Sequence, residues 1–227
     1  MSRLAIFDLD HTLLAGDSDH LWGAFLVERG LVDGEVYARE NDRFYAEYQA
    51  GTLDIHAYAA FAFEPLVRLG HQRLEPLRRQ FVEQQIQPII APGAPALLDR
   101  HRAEGDTVVI TTATNAFVTQ PIAELLGVEH LIATDPEQDE TGFTGRIAGT
   151  PNFRDGKVVR LREWIAAHGH QGRATICYSD SANDLPLLEM ADQAVATHPD
   201  PRLRAIAQER GWPILDLSQA PASAQEH

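Results

Sequence analysis

From Ala91-Pro92-Gly93 onward, short apolar runs alternate with amphipathic stretches, and this alternation constrains the fold more than any other feature of the chain. Strands are predicted at 107–111, 130–134, 174–178, 193–196 and 213–216, and helices at 94–104, 116–126, 155–168, 184–190 and 200–210. Parallel strands need long crossovers, which helices supply, so the pattern predicts an α/β fold built on a doubly wound parallel sheet. Ligands of such sheets bind outside the carboxyl ends of the strands. Chemistry is therefore sought where each apolar run stops.

One further strand opens the chain. Leu4-Ala5-Ile6-Phe7 is a continuous apolar run, as burial on both faces requires, and it stops in Asp8 and Asp10. Residues two apart on a strand point the same way, so the two carboxylates crowd like charge together, and a divalent cation relieves that repulsion. Residues from about Asp17 to Pro92 then read as almost continuous helix, punctuated at Asp33-Gly34, Gly51-Thr52 and Gly70-His71, which predicts four helices. Within 54–69, Ile55, Tyr58, Ala59, Ala62, Leu66 and Leu69 share a face and Asp54 caps the start, while Pro65 predicts a kink or an early end. The predicted organisation is a core formed by 1–14 and 93–218, an inserted helical domain over 15–92, a small hairpin or loop within 135–150, and a mobile tail over 219–227.

With 227 residues, 44% hydrophobic and 23% charged, the chain can bury a sizeable core and has no compositional case for disorder. No stretch approaches the ~20 apolar residues that span a bilayer, and the N-terminus enters a strand without a secretion signal, so a cytoplasmic protein is expected. A net charge of −14 opposes non-specific binding to nucleic acid or anionic membranes, and a phosphorylated ligand would need local positive charge. Cys177 is the single cysteine and lies in an apolar run, which predicts a buried strand residue and excludes an intrachain disulfide or a cysteine-based zinc site.

Three more runs end in candidate residues. Thr107–Ile110 leads into Thr111-Thr112-Ala113-Thr114-Asn115, where a hydroxyl and the free N–H groups of a helix start form a neutral cradle for phosphate oxygens. Lys157 opens a helix against the macrodipole and is the only lysine in the chain, arginine filling every other strongly basic position. Ile176-Cys177-Tyr178-Ser179-Asp180-Ser181-Ala182-Asn183-Asp184 places Asp180 at a strand tip and Asp184 one turn on, an oxygen-only set that suits Mg²⁺.

These four motifs, in this order over roughly residues 4–216, resemble those of the haloacid-dehalogenase-like phosphohydrolases. The insertion after the first motif is similar to the cap of the subgroup that contains phosphoserine phosphatase. The resemblance implies a core of strand order 5-4-1-2-3 under a helical lid. It implies that Asp8 attacks phosphorus and forms an aspartyl-phosphate, and that Asp10 protonates the leaving alkoxide and then activates water. It implies Mg²⁺ held by Asp8, the Asp10 carbonyl and Asp180, with Asp184 in support. Thr112, Lys157 and Asn183 are implied to stabilise the transferring group, Thr112 being preferred to Thr111 for the small-residue pattern that follows it. The presence of Asp10 argues against a true dehalogenase.

Asp17 falls where phosphoserine phosphatases carry a glutamate for the substrate ammonium, but the arginine that pairs with the serine carboxylate has no clear equivalent, Arg68 being a doubtful replacement. Ala113-Thr114 also stands where that family has Gly-Gly. An amino alcohol phosphate such as histidinol phosphate, a small metabolite of amino-acid biosynthesis, therefore fits better than phosphoserine. Aromatic residues of the insertion, including Trp22, Phe25, Tyr45, Phe61 and Phe63, are expected in its core rather than at a ligand. A phospho-receiver module, which also combines acids, a threonine and a lysine, is disfavoured by length and by the helical insertion. A phosphomutase differs only in whether the phosphate ends on water or on a second sugar hydroxyl.

Overall fold

The structure is a computed structural model that describes residues 2–219, so the tail expected over 219–227 lies outside the described residues except for Gln219. Along the chain, β1 (Leu4–Phe7) is followed by α1 (Ser18–Glu28), α2 (Gly34–Ala50) and α3 (Ile55–Phe81), and then by α4 (Ala94–Ala103) and β2 (Thr107–Asn115). Next come α5 (Ala116–Leu125), β3 (His130–Thr134), and a hairpin of β4 (Pro136–Asp139) and β5 (Gly142–Ile147). The chain finishes with α6 (Asp155–Ala167), β6 (Thr175–Ser179), α7 (Leu185–Met190), β7 (Gln193–Thr197), α8 (Pro201–Arg210) and β8 (Ile214–Leu215).

The main sheet runs β3-β2-β1-β6-β7-β8 with every neighbouring pair parallel. That is the expected 5-4-1-2-3 order of core strands, with β8 added at one edge. Successive side chains of a strand face opposite sides, and β1 divides accordingly. Ala5 and Phe7 join Leu97, Leu98, Val118 and Ile122 of α4 and α5 on one face, and Leu4 and Ile6 join Leu161, Leu187 and Leu203 of α6, α7 and α8 on the other. Cys177 is buried on β6.

The helical insertion leaves and re-enters the core at one place. Leu14 and Ile90 form an antiparallel bridge, with Ala15 N donating to Ile89 O at 2.7 Å and Ala91 N to Leu13 O at 2.9 Å. Aspartates 17, 33 and 54 cap the three helices of the insertion by accepting backbone N–H groups of the first turn. Pro65 does not end α3. It is buried with Phe63 and Leu66, and the helix breaks five residues later at Gly70, where φ +68° and ψ 166° favour glycine. The hairpin supports this kinked helix: His71 stacks on Phe143 of β5 at 5.1 Å.

Candidate active site

A pocket of about 770 Å³ opens at the carboxyl edge of the sheet and is walled on its far side by α1, α2 and α3. On its floor, Asp8 follows β1 directly, its N–H donating to Tyr178 O at 2.9 Å and so extending the strand. Its carboxylate accepts from Lys157 Nζ at 2.8 Å, and the same ammonium donates to Asp184 at 2.7 Å. Asp184 also accepts from Ser179 Oγ at 2.8 Å. Lys157 is 3% exposed; burial pulls its pKa down, but Asp184 and Asp8 outweigh that and hold it well above the ordinary lysine value.

The carboxylates nearby are not fully compensated. Burial and repulsion from Asp184 push Asp8 up to about 7 against the pull of Lys157. Burial, Asp8 and Asp184 raise Asp180, which accepts a long 3.3 Å bond from Thr12 Oγ1. Asp10 points elsewhere, accepting Ser18 N at 2.7 Å and Thr114 Oγ1 at 2.9 Å. Burial and the charge of Asp17 raise it to about 7.

Each residue singled out in the sequence can be placed. Thr112 lines the pocket, with Oγ1 3.5 Å from Asp10 and accepting Thr114 N at 3.2 Å. Thr111 faces away and accepts Asn152 Nδ2 at 2.9 Å. Asp17 lines the pocket but uses Oδ1 to cap α1. Asn183 reaches the pocket wall, yet its side-chain oxygen accepts from the Arg154 guanidinium at 3.3 Å, so in this conformation it is engaged in a loop contact. Of the aromatic residues expected in the insertion's core, Trp22, Phe25 and Phe63 are buried there, but Tyr45 is 53% exposed and lines the pocket.

The donor set can be tested against a hard divalent cation. Asp180 lies beside Asp8, and burial followed by the charge of Asp8 raises it, while the carboxylates here offer only oxygen to a metal. Such an oxygen set fits Mg²⁺, for which Asp8 and Asp180 would be the side-chain ligands. Asp184 is instead held by Lys157 and Ser179. A tighter grouping, His101, Glu104 and Asp106, lies at the amino edge of the sheet. Its acceptors are already used: Arg3 binds both Asp106 and Glu104, and His101 Nδ1 lies 2.8 Å from Asp106. It is a structural ion-pair network.

Sequence reasoning missed the residues that hold these groups in place. Asn152 is fully buried and its amide nitrogen reaches Thr111 Oγ1, Thr112 O and Ile132 O within 2.9 Å, tying the loop before α6 to the end of β2. Gly156 is required because a Cβ there would sit 2.1 Å from Pro151 O, and this fit sets where Lys157 emerges. Arg154 bonds Gly51 O across the pocket mouth, where Tyr48 Oη also lies 3.1 Å from Ser181 Oγ. Gly156 directly precedes Lys157 in the chain, whereas Asn152 and Arg154 carried no periodic or spacing signal.

The model of the haloacid dehalogenase-like hydrolases matches residues 5–189. The chain belongs to this family. It is 40% identical over 221 residues to a histidinol-phosphatase of Neisseria meningitidis, covering 96% of this chain and all of that protein. A solved structure from Bordetella pertussis, of unknown function, is 43% identical with a TM-score of 0.88, covering 96% of this chain and 99% of that one. A substrate-bound phosphoserine phosphatase shares the fold at 19% identity and a TM-score of 0.68, covering 96% and 94%.

Proposed function

We propose that this hydrolase is a Mg²⁺-dependent phosphomonoester phosphatase that works through an aspartyl-phosphate on a small metabolite, an amino alcohol phosphate such as histidinol phosphate. The observation that carries the reading is the buried Lys157 bridging Asp8 and Asp184 at the pocket floor, beside the raised Asp180. Asp8 is the nucleophile. Lys157, kept charged, orients it and then neutralises oxygens of the transferring group, with Thr112 as a second donor. Asp10, raised by burial and gripped by Ser18 and Thr114, gives its proton to the leaving alkoxide and takes one from the attacking water. Mg²⁺, when bound by Asp8, the Asp10 carbonyl and Asp180, offsets repulsion between the anionic nucleophile and a dianionic phosphate.

The helices of 15–92 serve as the cap that excludes water and reads the leaving group. The histidinol-phosphatase relative supports that substrate class. Phosphoserine is disfavoured because Arg68, the candidate for its carboxylate, is an exposed residue paired with Glu64 at 2.7 Å. The test is phosphate release with and without Mg²⁺ on histidinol phosphate, phosphoserine and neutral phosphomonoesters. A Mg²⁺-dependent kcat/KM of ~10⁴ M⁻¹s⁻¹ or more on histidinol phosphate is expected, and no release from any of them overturns the reading.

A further inference from the structure

The insertion side of the pocket holds a carboxylate that, among the described residues, has no permanent cation beside it. Asp19, in the first turn of α1, lines the pocket and is only 8% exposed. Tyr58 of α3 donates its hydroxyl to one carboxylate oxygen at 2.7 Å, and Asn115 Nδ2 lies 3.4 Å from the other. Both donors are neutral. Asp17 stands nearby and adds to the negative field, its own Oδ1 being spent on the cap of α1. A buried carboxylate without a counter-charge is costly and is retained where something supplies that charge.

None of the described residues supplies it. Among the described residues, the permanent cations lining the pocket are Lys157, already shared by Asp8 and Asp184, and Arg202, exposed on α8 of the core. A ligand carboxylate would thus find no permanent cation near Asp19, whereas an ammonium would find a preformed acceptor. The surrounding wall, with Phe44, Tyr45 and Tyr58, suits a flat apolar body between phosphate and amine.

We propose that Asp19, oriented by Tyr58, binds a positively charged nitrogen on the leaving group and so selects cationic amino alcohol phosphates over neutral ones. This deepens the phosphatase reading and rests on it. Asp17, the position suggested by sequence, then acts mainly as the helix cap that fixes Asp19.

The experiment compares the full chain with Mg²⁺ on histidinol phosphate, on its analogue lacking only the amine, and on phenyl phosphate. The wild type is expected to prefer the amine by about 30-fold or more in kcat/KM, the scale of one buried charge pair. Asp19→Asn, which keeps an acceptor for Tyr58, should bring the ratio close to one, mostly through KM. Tyr58→Phe should lower it several-fold, and this variant carries the test if Asp19→Asn fails to fold. A wild-type ratio near one, or a ratio kept by Asp19→Asn and abolished by Asp17→Asn, overturns the assignment while leaving the phosphatase reading intact. Absence of phosphate release from all three compounds rejects that reading, and the assignment with it.

Discussion

The two ends of the β-sheet each gather buried acids, and they treat them in opposite ways. At the amino edge, burial alone would raise Asp106, but His101 and Arg3 hydrogen-bond it and bring it down to about 2. His101 is closed off in turn by the Tyr178 hydroxyl at 2.9 Å. At the carboxyl edge, burial pushes Asp8, Asp10, Asp19 and Asp180 upward, and one lysine and a few neutral donors do not offset it. Satisfied charge holds a fold together, whereas charge left short of partners suits the entry of the proposed metal and substrate.

The two edges differ most at Asp8. Asp8→Asn should lower turnover by at least about three orders of magnitude, since an amide is a poor nucleophile, while thermal melting stays near wild type. Phosphate release and circular dichroism on the same preparation read both. Next in size is Gly156→Ala, which must move the Pro151 carbonyl and so displace Lys157. A loss of about tenfold or more in kcat is expected, with a lower melting temperature.

At the other end the sign reverses. Asp106→Asn should cost about 2 kcal/mol of stability, the scale of hydrogen bonds to a charged group, with kcat/KM within about twofold of wild type. Because the folded-state pKa of Asp106 is depressed, its contribution is present above the unfolded value near 3.8 and is lost as pH falls toward about 2. Denaturant titrations between those limits should show a slope in the wild type that the variant lacks in part. The smallest effect is at the pocket mouth: Tyr48→Phe removes the contact to Ser181 and should shift kcat/KM by about threefold or less.

What was legible in the sequence follows the same division. Apolar runs that end in Asp8 and Asp180 revealed two strand tips, and the run leading to Thr112 located β2, which continues to Asn115, since a buried strand and a polar edge leave a local pattern. Lys157 stood out because it opposes a helix dipole and has no sister lysine. The pairing of Asp19 with Tyr58 spans 39 positions and depends on how α1 packs against α3, so no local spacing encodes it. Asn152 likewise acts through three distant acceptors. Pro65 misled because its ring is carried within a well-packed helix, while Gly70 alone provided the backbone freedom for the break.

In the proposed function the carboxyl edge, and not the tighter acidic group at the amino edge, receives the divalent cation. Thermal unfolding of the metal-free protein with and without Mg²⁺ tests it directly in wild type, Asp180→Asn and Asp106→Asn. Mg²⁺ should raise the melting temperature of wild type and of Asp106→Asn alike and leave Asp180→Asn unchanged. An equal rise in Asp180→Asn, or a rise lost only in Asp106→Asn, would contradict the account.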